Sequence, residues 1–117
     1  MRAKGVLSLV MLLAFALPLC AAKPKVTFVE LGSVNCIPCR AMAKIMDALE
    51  SKYPRDLHIV FYDVWTEAGK PAAAQFAIRS IPTQVFLDST GKEFFRHEGF
   101  FPQKELEKVL AGKAVKR

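Results

Sequence analysis

The run Val26-Thr27-Phe28-Val29-Glu30-Leu31 is followed by Gly32-Ser33-Val34-Asn35 and then by a segment of helical periodicity. β-branched and aromatic residues suit a buried, pleated strand, and the Gly-Ser-Val-Asn stretch reads as a turn. Met42, Ile45, Met46 and Leu49 recur at three- and four-residue spacing, on one helical face, while Lys44, Asp47 and Glu50 fall off it. The predicted helix runs from about Cys36 to Lys52. Tyr53-Pro54 ends it, because proline disfavours a helical residue before it. Leu57 to Val64 is a second predicted strand. Strand, helix and strand in succession predict parallel strands joined by a right-handed crossover.

The alternation continues downstream. Trp65 to Pro71 reads as a loop and Ala72 to Ile78 as a short helix. Gln84–Asp88 and Glu93–Glu98 flank Ser89-Thr90-Gly91-Lys92, a hairpin turn. Pro102 stands at the start of a last helix that continues from Lys104 to Leu110, with Leu106, Val109 and Leu110 apolar and Gly112 as its stop. The predicted order is β-α-β-α-β-β-α. It describes an α/β domain, a four-stranded mixed sheet with helices on both faces around one core.

Residues 1–22 stand apart from this pattern. Arg2 and Lys4 precede an uncharged stretch from Gly5 to Leu19, Pro18 interrupts that stretch near its end, and Cys20-Ala21-Ala22 supplies small residues before Lys23. Such an order marks a secretory signal peptide, cleaved here after Ala22. An uncleaved N-terminal anchor is the alternative, although the stretch barely reaches the roughly 20 residues that a bilayer needs. A lipoprotein signal using Cys20 would want a small residue where Leu19 stands. Without the leader, 95 residues remain, with 15 Lys+Arg against 11 Asp+Glu and two cysteines, Cys36 and Cys39. They divide into a domain over 23–112 and a loose basic tail over 113–117, which holds Lys113, Lys116 and Arg117. No element interleaves clustered cations with stacking aromatics, so no nucleic-acid partner is expected. Two cysteines are too few for a disulfide-stapled scaffold.

The chemistry concentrates in Cys36-Ile37-Pro38-Cys39, at the junction of strand and helix. Two intervening residues allow a disulfide to close across the first helical turn. Backbone N–H groups there lack helical acceptors and the helix dipole is positive, so a thiolate at Cys36 is stabilised below the free thiol pKa of about 8.5. Pro38 suits the first turn, where a missing N–H costs nothing. Cys36 is therefore the candidate nucleophile, and Cys39, one turn deeper and less exposed, the resolving thiol. Structural zinc would need two further ligands, and His58 and His97 are 39 residues apart, so no metal site is expected. A disulfide across two residues removes little chain entropy, which argues against a purely structural bond. Met42 and Met46 read as core rather than as a copper site.

Cys36-Ile37-Pro38-Cys39, then Ser80-Ile81-Pro82-Thr83 and Gly99 after the hairpin, together resemble the thioredoxin-fold proteins, over nearly all of 23–111. The resemblance implies a strand order of 2-1-3-4 and a cis bond before Pro82. It implies that Ile37, Ile81, Pro82, Thr83 and Gly99, with Phe100, form a rim on which an extended substrate peptide pairs like an added strand. It also implies a buried acid at Glu30 that takes the proton of the resolving thiol. By themselves, Ile81-Pro82-Thr83 equally fit an ordinary turn before a strand, and Glu30 equally fits a solvent-facing residue. Parity decides nothing there, since apolar residues occupy both faces of the strand.

Three positions depart from the family pattern. Asn35 stands where Trp is usual, Ile37 where Gly is usual, and apolar Phe61 where a Lys often lies near the acid. Such residues tune the redox potential, for which about 30 mV is a tenfold change in equilibrium. Trp65 is expected to pack half-buried, His97 to lie on a strand surface, and Phe94, Phe95, Phe100 and Phe101 to fill core and rim. The implied function is an exported, periplasmic thiol–disulfide oxidoreductase. It would be a cofactor-free, monomeric reductase of protein disulfides, supplied with electrons by a membrane thiol reductase. A disulfide oxidase or isomerase, or a copper- or zinc-binding module without turnover, are the alternatives.

Overall fold

A computed structural model describes residues 22–117. All but the last residue of the expected leader lies outside the described residues, and among those described no helix is long and apolar enough to cross a membrane. The elements are β1 (Val26–Gly32), α1 (Ile37–Lys52), β2 (Leu57–Asp63), α2 (Lys70–Gln75), β3 (Thr83–Asp88), β4 (Glu93–Glu98) and α3 (Gln103–Ala111). They form one four-stranded sheet of order β2-β1-β3-β4. β1 runs parallel to β2 and antiparallel to β3, and β3 is antiparallel to β4.

β1 occupies the middle of the sheet because it is apolar on both faces. Val26 and Phe28 point into a cluster with Met42, Met46 and Leu49 of α1 and Leu106 and Leu110 of α3. Val29 and Leu31 point the other way, against Ala72 of α2 and Val85 of β3. The periodic residues of α1 are thus its buried face, and Met42 and Met46 are core. Phe28 stacks on Phe86 of β3 with ring centroids 4.9 Å apart. Fully burying an aromatic or aliphatic side chain of this size contributes about 1.5–3 kcal/mol, so this row supplies much of the sheet's cohesion.

Two boundaries differ from expectation. α2 lies earlier, at Lys70–Gln75 rather than Ala72–Ile78, with Pro71 inside its first turn. It ends where Ala77 turns left-handed at φ 49°, with the Ala77 N–H donating to the Ala74 carbonyl and the Ile78 N–H to the Ala73 carbonyl. That paired closure is commonly made with glycine, so no residue type announces the stop. The second difference is the basic end, which is docked rather than loose. Val115 packs into the α1–α3 core. The Lys116 N–H donates to Asp56 Oδ2 at 2.8 Å, and Lys25 Nζ to the Ala114 carbonyl at 2.8 Å.

Gly69, just before α2, is set by sterics: a Cβ there would lie 1.9 Å from the Asp63 carbonyl oxygen. Two substitutions test these contacts by thermal unfolding. Gly69→Ala should destabilise by about 2 kcal/mol or more, since backbone must move. Ala77→Gly should stabilise by up to about 1 kcal/mol, since it relieves a left-handed alanine.

Candidate active site

The sheet topology gathers the site at one end. The C-terminal end of β1 leads into the cysteine turn, and antiparallel β3 begins beside it, with Thr83 opposite Leu31. β4 then finishes beside the start of β3, with Glu98 opposite Thr83. Cys36 and Cys39, Pro82 and Gly99, far apart in sequence, thus share one edge of the fold. The Ile81–Pro82 bond is cis, and the Gly99 N–H donates to the Pro82 carbonyl at 2.7 Å. The Thr83 hydroxyl turns back to the Ser80 carbonyl at 2.7 Å, which fixes the corner. Gly99 has a φ of 87°, a conformation that glycine adopts without strain.

Cys36 is the N-cap of α1, extended at φ −97° and ψ 127°, and its N–H donates to the Ser33 carbonyl. Among the described residues no side chain caps this helix end. The first helical bond runs from Arg40 N–H to the Cys36 carbonyl. The amides of Ile37 and Cys39 therefore have no helical acceptor and favour negative charge nearby. Cys36 and Cys39 form a disulfide with Cα atoms 5.1 Å apart. Both are largely covered, at 9% and 3% exposure, so the expected difference between them is small. A Cβ on Gly32 would stand 3.0 Å from Cys39 Sγ, so the end of β1 is pressed against the inner sulfur.

The cysteine turn is clamped from β2. Asp63 is the register partner of Gly32, and its carboxylate accepts from the Val34 N–H at 3.2 Å and the Trp65 N–H at 3.1 Å. The Val64 N–H donates to the Gly32 carbonyl at 2.9 Å. Around the disulfide, Val34, Ile37 and Phe100 are 60%, 74% and 47% exposed. Trp65 is 63% exposed, so it is not the half-buried packing residue expected, and the Asp63 clamp ties its backbone to that of Val34. Sequence reasoning gave Asp63 no role. Its signal lay in its place at the end of a strand, visible only once β2 is paired with β1.

Glu30 is fully buried. It shares its face of β1 with Gly32, two residues on, and hence with Cys39, at a distance along the strand of about 7 Å. Gln84 Nε2 lies 3.4 Å from its Oε1, and its Oε2 has no partner among the described residues. Phe61, the register partner of Glu30 on β2, supplies no charge and lines an apolar cavity of about 330 Å³ together with Cys39, Arg40 and Met46. Burial therefore dominates, pushing the Glu30 pKa up to about 8, and the bond from Gln84 only partly opposes it. His97 also differs from expectation. It is half-buried, stacked on Phe101 with centroids 4.1 Å apart, and its Nδ1 lies 2.7 Å from Gln84 Oε1.

A thioredoxin-like domain family matches residues 18–113. The chain belongs to the thioredoxin-like family. It is 32% identical over 75 residues to a thioredoxin of Porphyra purpurea, covering 64% of this chain and 67% of that one. It is 33% identical over 79 residues to a thioredoxin-like protein of Synechocystis, covering 68% and 72%. Among solved structures, Fasciola hepatica thioredoxin superposes with a TM-score of 0.67 at 27% identity, covering 78% of this chain and 83% of that one. The protein is thus a thioredoxin-like thiol–disulfide oxidoreductase carrying the Cys36–Cys39 pair. Among the described residues no group of three or more His, Cys, Asp or Glu side chains is placed to hold a metal ion.

The Glu30 shift carries a stability consequence. The folded chain holds this proton up to about pH 8, whereas the unfolded chain releases it near 4.5. Between those values the folded state binds the extra proton, so its stability is full below the lower value and falls as pH rises through the upper one. The loss is of the order of 5 kcal/mol, at about 1.4 kcal/mol per pH unit. Urea denaturation of the oxidised protein at pH 5 and pH 9 should show this fall in the wild type and a much flatter response in Glu30→Gln. Equal slopes for the two proteins would mean that Glu30 titrates normally.

Proposed function

We propose that the protein is an exported reductase of protein disulfides in which Cys36 attacks and Cys39 resolves. The observation that carries this reading is the placement of Cys36 at an uncapped helix start, on the same edge as cis-Pro82 and inside an apolar rim. A substrate chain laid along Ile81 and Pro82, with Thr83 and Gly99 fixing that corner, would present its disulfide to Cys36. The Cys36 thiolate forms a mixed disulfide with one substrate sulfur and expels the other as a thiolate. Cys39 then loses its proton, attacks Cys36 Sγ and expels the second substrate thiolate. Two electrons pass to the substrate and the Cys36–Cys39 disulfide remains. An external dithiol restores the pair, for which a membrane thiol reductase is the proposed donor.

Glu30 is the proposed acceptor of the Cys39 proton, since it lies on the same face, with burial and the Gln84 bond setting its proton affinity. With its pKa near 8, about a tenth of it is ionised at pH 7, so resolution should quicken as pH rises toward 8. Pro38 and the acid at Glu30 favour the reducing direction over oxidation. Export to the periplasm, with the leader either cleaved or kept as an anchor, is supported by the basic, apolar and small-residue order of residues 1–22.

The protein with dithiothreitol should reduce insulin, and Cys36→Ser should abolish this. Cys39→Ser should instead accumulate mixed disulfides through Cys36. A potential near the roughly −270 mV of reductants supports the assigned direction, and one near the −120 mV of strong oxidants reverses it. Absence of reduction together with stoichiometric Cu(I) or zinc binding would replace the enzyme by a metal-binding module.

A further inference from the structure

On the α1-facing side of the sheet, the residues in register with Glu30 form a row across all four strands: Phe61 on β2, Glu30 on β1, Gln84 on β3 and His97 on β4. The last three are polar in a layer that is otherwise apolar. Gln84 is fully buried and joins the other two, with Nε2 at 3.4 Å from Glu30 Oε1 and Oε1 at 2.7 Å from His97 Nδ1. The row thus leads from the carboxyl beneath Cys39 to an imidazole on the edge strand.

An amide has one donor end and one acceptor end, so its two contacts are not independent. When His97 Nδ1 carries a proton, it donates to Gln84 Oε1. Gln84 Nε2 must then donate to Glu30, which favours the carboxylate. When Nδ1 is bare, the amide serves both neighbours only if turned over: its NH2 donates to Nδ1, and its oxygen accepts the proton of a neutral Glu30. An imidazolium, protonated on both nitrogens, permits only the first arrangement.

We propose that Gln84 and His97 are a positioning pair for Glu30, in which the protonated nitrogen of His97 selects the end of the Gln84 amide that meets the carboxyl and so sets its proton affinity. The proposal rests on Glu30 as the acceptor for Cys39, and it names the residues that regulate that acceptor. Other charged groups around the row are accounted for. On β4, Arg96 pairs with Glu93, and Glu98 with Arg79. On α3, Glu105 pairs with Lys108, and Glu107 with Lys52 of α1. α1 also brings the Cys39 thiol to this face, with Arg40 at the cavity beside it; β2 contributes Phe61 and, opposite Gly32, Asp63, whose carboxylate accepts from the Val34 and Trp65 N–H groups. Stacking on Phe101 holds the imidazole in plane for the contact.

The test is a paired NMR titration of the reduced full chain from pH 5 to 10, following the Glu30 carboxyl carbon and the His97 ring nitrogens. As Glu30 ionises, His97 should shift from the Nε2–H to the Nδ1–H tautomer with the same midpoint. Gln84→Leu should abolish that linked step and raise the Glu30 midpoint. His97→Phe, which keeps a ring on Phe101, should free the amide and alter the Glu30 midpoint without Gln84 being touched. A tautomer indifferent to Glu30, or a carboxyl midpoint identical in the wild type and both variants, overturns the proposal. The rate of mixed-disulfide resolution in Glu30→Gln reports separately on the acceptor role. If that rate equals the wild type at every pH while the linked step persists, the coupling stands and the acceptor role falls.

Discussion

β1 pairs with β2 along one edge and with β3 along the other, and helices cover both of its faces. Burial on every side makes it the reference for the rest of the chain. Its first residues anchor the aromatic and aliphatic core. Its last, Gly32, is pressed against Cys39, where a Cβ would stand 3.0 Å from Sγ. The cysteine turn is therefore built on a buried central strand rather than on a free loop, and pairing partners on both sides fix its direction.

The same burial produces the unusual carboxyl. In a half-exposed strand, Glu30 would be hydrated and ionised at neutral pH. In β1 it meets, among the described residues, apolar side chains and one amide, so burial makes the neutral acid the favoured form. Phe61 sharpens this effect, because a cation at that position would have restored the carboxylate. The departure at residue 61 thus shifts the protonation chemistry beneath the disulfide while leaving the fold intact.

The site joins two kinds of control. Helix-start amides, which no side chain caps, bias the outer sulfur toward the anion. A polar row reaching the edge strand governs the acid beneath the inner one. Asp63 links them mechanically, holding the cysteine turn and the Trp65 turn through two backbone N–H groups. The exposed Trp65 and Val34 then extend the apolar surface around the disulfide, although Asn35 stands where the family usually has Trp.

Residue patterns alone determined the order of elements, the buried face of α1 and the strand-to-helix setting of Cys36 and Cys39, because periodicity and the chemistry of a helix start are local. The limits of α2 were not legible, since Ala77 adopts a left-handed conformation that residue type does not advertise. Nor was the docking of Val115, which depends on a core assembled from α1 and α3. Strand parity left Glu30 open, because a strand with two apolar faces looks the same from either side. Only the tertiary structure set Glu30 opposite Gln84 and Gln84 opposite His97, since sheet register brings together residues 54 and 13 positions apart in the chain. A sequence specifies which side chains are polar; which of them meet, out of reach of water, is decided by how the strands align.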